Sequence, residues 1–167
     1  MDAEEIIKKL DMRPLPQEGG YYKETYRSSE VIDQDCLPDR YEGSRNVSTA
    51  ILYLITPKNF SRLHRIKSDE VFHFYMGDPL YMLNLFQDGT AQEPVLGADI
   101  AAGQRIQHIV PRGTWQGACL KQGGRFALLG TTVSPGFDFS DYEDCSGHVD
   151  RLLQIYPAKK QAIQRLT

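Results

Sequence analysis

A chain of 167 residues can bury one core of ordinary size and is too short for two. With 41% hydrophobic and 25% charged residues it has the composition of a globular protein, which excludes global disorder. A formal net charge of -3, with Lys8–Lys9 and Lys159–Lys160 as isolated pairs, argues against a nucleic-acid binder, which needs clustered Lys and Arg.

Residues 2–10 read as a short helix, with Asp2 placed to cap it, Glu5 three positions later, and Ile6, Ile7 and Leu10 on one side. This start puts acids before bases and lacks a long apolar run, so it resembles neither a secretory signal nor a transit peptide, and no stretch is long enough to span a bilayer. Cys36, Cys119 and Cys145 are odd in number and far apart, which suits buried free thiols in a reducing cytoplasm. A single cytoplasmic domain spanning 1–167 is the expectation.

Pro14, Pro16 and Gly19–Gly20 break the first helix. From Tyr21 the period falls to two: Tyr22, Glu24 and Tyr26 alternate with Tyr21, Lys23, Thr25 and Arg27, as in a strand. The polar stretch 33–44 reads as a loop. Residues 47–56 (VSTAILYLIT) are β-branched and apolar on both faces, the mark of a central strand. Strands are then predicted near 60–66, 69–76, 80–86, 93–96, 105–110, 114–120 and 125–133, separated by turn chemistry such as Gly77-Asp-Pro79, Asp88-Gly89 and Gly123-Gly124. After Asp150 the helical period returns, with Pro157 suited to a first turn. Many short strands with regular turns predict an all-β sandwich or barrel with short terminal helices.

The segment richest in chemistry is HRIKSDEVFHFYMG, 64–77. Residues two or four apart on strands share a face, so His64, Ile66 and Glu70 can point into one interior if the intervening turn keeps the parity. An imidazole and a carboxylate meeting in a dry space can hold a metal or act as base and orienting acid. His73 is three residues from Glu70 and falls on the other face unless a bulge shifts the strand.

The same segment resembles the first cupin motif, G-x5-H-x-H-x3-E-x6-G, through His64, Glu70 and Gly77, with Lys58 at its first glycine and Ile66 at its second histidine. The second motif, G-x5-P-x-G-x2-H-x3-N, is matched by Pro111 and Gly113, while Arg105, Gln116 and Leu120 replace its Gly, His and Asn. The stretches GGYYKETYRS (19–28), HRIKSDEVFHFYMGDPL (64–80), VPRGTWQ (110–116), VSPGFDFSDY (133–142) and the closing IQRL together resemble cupin family five, a branch without an assigned reaction. The resemblance implies a double-stranded β-helix, the jelly roll, paired as a homodimer through its N-terminal strand.

Two of the usual four ligand positions have lost their histidine, so the resemblance implies at most weak divalent-metal binding by His64, Glu70 and Gln116, and no tightly held metal is expected. Nucleotide-sugar epimerases of this fold use a carboxylate-held His and a Tyr, roles that His64 or His73, Glu70 and Tyr26 can fill by analogy. Glu24 and Arg27 can contact substrate or pair across the dimer. Phe72 and Trp115 are core or ligand platform, and Gln116 faces the pocket if the second motif holds. His108 and His148 read as surface or turn residues, and Asp138 and Asp141 as ordering the PGFDF turn. The expected function is binding of a small polar molecule, a sugar or nucleotide derivative, with metal-independent epimerisation or isomerisation. The alternatives are a non-catalytic binding module and a metal-dependent enzyme whose ligands include His73.

Overall fold

The computed structural model describes residues 1–167. Its centre is a pair of antiparallel sheets. The first has the order Arg13–Pro14, Tyr21–Arg27, Thr49–Ile55, Ala127–Ser134, Asp69–Gly77 and Gln107–Val110. The second has the order Val95–Leu96, Leu80–Leu85, Trp115–Leu120, Ser61–Arg65 and Glu143–Asp144, with Ala91–Gln92 also on Leu80–Leu85. The chain passes between the sheets, so strands adjacent in sequence, such as Asp69–Gly77 and Leu80–Leu85, lie in different layers.

Alternation along each strand explains the packing. Tyr53, Ile55, Phe72, Phe74 and Leu129 of the first sheet meet Leu80, Met82, Ala118 and Leu120 of the second in one buried cluster, so the sheets face each other across a shared core. The residues between them point outward and need separate cover. Leu63, Leu83, Leu85, Trp115 and Cys119 pack under the C-terminal helices Val149–Ile155 and Lys160–Arg165 through Leu152, Ile163 and Leu166. Leu54 and Leu128 pack under the N-terminal helix Ala3–Lys9 through Ile6. That helix carries the expected capping box, Asp2 with Glu5. None of the helices is long and apolar enough to cross a membrane.

Several local expectations change. Pro14 sits in a two-residue edge strand, where its missing N–H costs no ladder bond in the sheet interior. The loop ends in a ladder, Val31–Ile32 against Arg45–Asn46, and contains a 3-10 turn at Gln34–Cys36. Cys36 is exposed, whereas Cys119 and Cys145 are buried; all three are free. His108 is no surface residue: it lies between the sheets, with Nε2 donating to Asn84 Oδ1 at 2.7 Å and Nδ1 accepting from Arg105 at 3.1 Å.

Candidate functional site

At one end the space between the sheets opens into a cavity of about 300 Å³, lined by Glu18, Tyr22, His64, Glu70, Phe137 and Tyr142 among others. His64 lies on strand Ser61–Arg65 and is 2% exposed. Its Nδ1 lies 2.7 Å from the carbonyl of Arg62, so Nδ1 carries the proton and donates, and in the neutral ring Nε2 presents a lone pair. Nε2 faces Glu18 Oε2 at 3.7 Å, beyond hydrogen-bond reach. The ring stacks on Tyr142, with centroids 5.1 Å apart.

Glu70 comes from the facing strand, Asp69–Gly77, and is also buried. Gln116 Nε2 donates to Glu70 Oε2 at 2.7 Å, which ties the two sheets together across the cavity wall. Burial raises the Glu70 carboxyl above its ordinary range; the charge of Glu18 adds to this, and His64 and Gln116 oppose it. The remaining amide oxygen of Gln116 and the hydroxyl of Tyr142 are buried without partners. Burial also pushes the Tyr142 phenol well up, with Glu18 reinforcing it.

Glu18 carries no motif that sequence reasoning could recognise. It is delivered by the Gly19–Gly20 turn, both at positive φ, +97° and +74°. A Cβ on Gly20 would fall 2.8 Å from the Tyr53 ring, so only glycine lets this turn lie against the sheet. Arg62 N–H then donates to the Glu18 carbonyl at 2.8 Å, and Ser61 Oγ to Glu18 Oε1 at 2.8 Å. Tyr142 arrives from the other end of the chain, beyond the 3-10 turn Phe139–Asp141, which Asp138 caps by accepting from Ser140 N–H. Asp141 does more than order that turn: it pairs with Arg45, buried.

Of the other expected site residues, Glu24 and Arg27 line the mouth, bound to each other within one chain at 2.7 Å. The remaining four lie elsewhere. Tyr26 is 54% exposed and outside the cavity, because a bulge between Glu24 and Tyr26 shifts the alternation and turns Arg27 inward instead. His73 lies before the register shift of its strand, where alternation from Glu70 still holds, so it sits on the face opposite Glu70 and bonds Thr132 and Gln107. Phe72 shares the face of Glu70 but is sealed into the core between the sheets. Trp115, next to Gln116, points the other way, under the C-terminal helix with Arg65 stacked over it at 4.7 Å. His148 stacks obliquely on the same indole and pairs with Glu143 at 2.8 Å.

The fold family implies a metal, and the donor set does not fit one. At the four ligand positions stand His64, Ile66, Glu70 and Gln116, and Gln116 turns its NH₂ toward Glu70 instead of a lone pair toward an ion. No three His, Cys, Asp or Glu side chains converge as a metal-holding group.

Comparison with known proteins gives the family and the fold. The family model described as "Cupin superfamily (DUF985)", cupin family five, matches residues 4–144. An uncharacterised Saccharomyces cerevisiae protein, YML079W, is 30% identical over 155 residues, covering 87% of this chain and 76% of its own. Protein SO0799 from Shewanella oneidensis superposes with a TM-score of 0.85 at 34% identity, over 100% of this chain and 98% of its own. A hypothetical protein from Leishmania major superposes with a TM-score of 0.87 at 31% identity, over 100% and 99% of the two chains.

Proposed function

The chain belongs to the cupin superfamily, in its family five, and from that premise we propose that it binds a small polar molecule, a sugar or nucleotide derivative, in the cavity between its sheets. His64 serves there as a proton acceptor for metal-independent epimerisation or isomerisation. The observation that carries the reading is the Nε2 lone pair of His64. It is fixed by the bond from Nδ1 to Arg62, lacks a hydrogen-bonding partner, and faces a cavity of a size that suits a small ligand. A base with one tautomer held and the reactive nitrogen free is what proton abstraction needs. Tyr142, stacked on that ring with its hydroxyl unpaired, takes the proton-returning role that the sequence suggested for Tyr26. Glu70 and Gln116 brace the wall between the two sheets.

In this reading the two sheets form the jelly-roll barrel of one domain spanning the chain. Tyr21–Arg27 has only the short Arg13–Pro14 strand beyond it, so most of its outer edge is open to the same strand of a second copy, which supports a homodimer. Three unpaired thiols suit a reducing cytoplasm.

The test is a thermal-shift screen of the full chain with sugars, nucleotide sugars and keto-sugars, followed by deuterium incorporation from D₂O into each hit. A ligand of the folded state raises the apparent melting temperature by mass action. Incorporation that His64→Gln abolishes while binding persists is the expected result. Binding without incorporation would make the chain a non-catalytic module, and a screen without hits would count against the cavity as a ligand site.

A further inference from the structure

We infer that the inner end of the cavity recognises a protonated amine of the ligand, held between His64 and Glu18. The inference rests on the cavity being a ligand site; an amine held at Nε2 takes the lone pair assigned above to proton transfer, so for any one ligand the two uses of His64 exclude each other. Hydrogen-bond accounting carries it. Nδ1 of His64 is committed to the Arg62 carbonyl, which leaves an acceptor at Nε2. Oε1 of Glu18 accepts from Ser61, which leaves an acceptor at Oε2. The two face each other at 3.7 Å, with His64 almost wholly buried. Two acceptors held that close call for a donor between them. A single nitrogen bearing several hydrogens can reach both with bonds of about 2.8–3.0 Å. An ammonium has three donors and no acceptor to leave unsatisfied.

Charge points the same way. Glu18 and Glu70 both act at this end, and no Lys or Arg pairs with either. The guanidinium of Arg27 is already taken by Glu24, by the Asn46 side chain and by the Phe137 carbonyl. Arg13 is exposed and lies over the Tyr22 ring at 5.0 Å. A hydroxyl could make the same hydrogen bonds, but only a cation also offsets carboxylates kept from water. The Tyr142 ring stacked on His64 adds an aromatic surface of the kind that attracts cations.

The experiment follows the imidazole nitrogen resonances of ¹⁵N-histidine-labelled full-length protein at pH 7 during titration with methylammonium chloride, sodium chloride or methanol, probes small enough for any cavity of this size. D-glucosamine against D-glucose is then compared by calorimetry. The expected result is a saturable shift of the His64 signals by methylammonium at concentrations about tenfold below those of methanol, with sodium chloride inert. Glucosamine should bind about tenfold tighter than glucose, and Glu18→Gln should erase both differences. An equal or stronger response to methanol and glucose, or the same shift from sodium chloride, would overturn the amine while leaving the cavity as a site for neutral ligands. No saturable response to any amine or neutral probe would overturn the amine and the ligand site together. The wild-type comparison decides even if the variant fails to fold.

Discussion

Arg45 and Asp141 form a two-pronged ion pair, Nη2 to Oδ1 at 2.6 Å and Nε to Oδ2 at 2.7 Å, with both side chains under 5% exposed. Nη1 of Arg45 donates to the carbonyls of Gly43 and Ser44 in its own loop, Nη2 also donates to Ser140 Oγ, and the guanidinium lies over the Tyr41 ring. The pair fastens that loop to the turn immediately before Tyr142. Arg45→Ala leaves the buried Asp141 carboxylate with only the more distant Lys67 Nζ, at 3.8 Å, and should cost about 3 kcal/mol, the low end for a broken buried pair. Arg45→Met with Asp141→Leu should cost less than either single change. Urea denaturation of the three variants measures both statements, and a double variant worse than Arg45→Ala would contradict them.

Gly20→Ala forces a side chain into φ +74° and into the Tyr53 ring. A loss of about 1–3 kcal/mol is expected from the strained backbone alone. Because the same turn delivers Glu18, ligand affinity should fall along with stability. Gly89→Ala, also at positive φ but facing open space, should lose stability without affecting ligand affinity. Parallel melting and binding measurements on the two variants separate strain from site.

His108 should make the fold acid-sensitive. Burial, and secondarily Arg105, lower its pKa to about 4. The unfolded chain therefore takes up the proton first, near the ordinary histidine value of about 6.5. The neutral ring stabilises the fold fully above that pH, and the contribution is lost as pH falls from 6.5 toward 4. About 3 kcal/mol should disappear across that window. In His108→Gln the slope of stability against pH should flatten there. Denaturant titrations at intervals between pH 4 and 7 give the comparison.

The two histidines nearest in sequence to Glu70 should behave differently. His64→Gln should abolish proton transfer at the site and weaken ligand binding by about tenfold, roughly 1.4 kcal/mol. His73→Gln and Tyr26→Phe should leave both within twofold, since the structure puts them outside the cavity. Isotope incorporation and calorimetry on the three variants would show a misassigned site at once if His73→Gln were the one to fail.

The sequence and the structure agree where alternation is unbroken. The parity argument brings His64 and Glu70 to one interior; Gln116 pairs opposite His64 beside a register shift and bonds Glu70, but it is not among the residues that line the cavity. The same alternation puts His73 outside and Trp115 behind. Tyr26 lies outside the cavity because a bulge is a one-residue insertion in pairing, visible only once the partner strand is known. Glu18 and Tyr142 reach His64 from loops far away in the chain, and no local pattern in their neighbourhoods encodes that meeting. For the glycines of the first family stretch, the sequence offered only a break. Their role in pressing Glu18 toward the imidazole needed the ring of Tyr53 in place.

The carbonyl of Leu166 accepts from the N–H of Leu63, one residue before His64, while Leu166 itself is buried beneath the second sheet. The tail of the chain thus acts as a latch on the backbone that carries the imidazole. Fraying of the final turn would leave the Leu63 N–H without that acceptor and remove a brace from behind the strand that carries the imidazole.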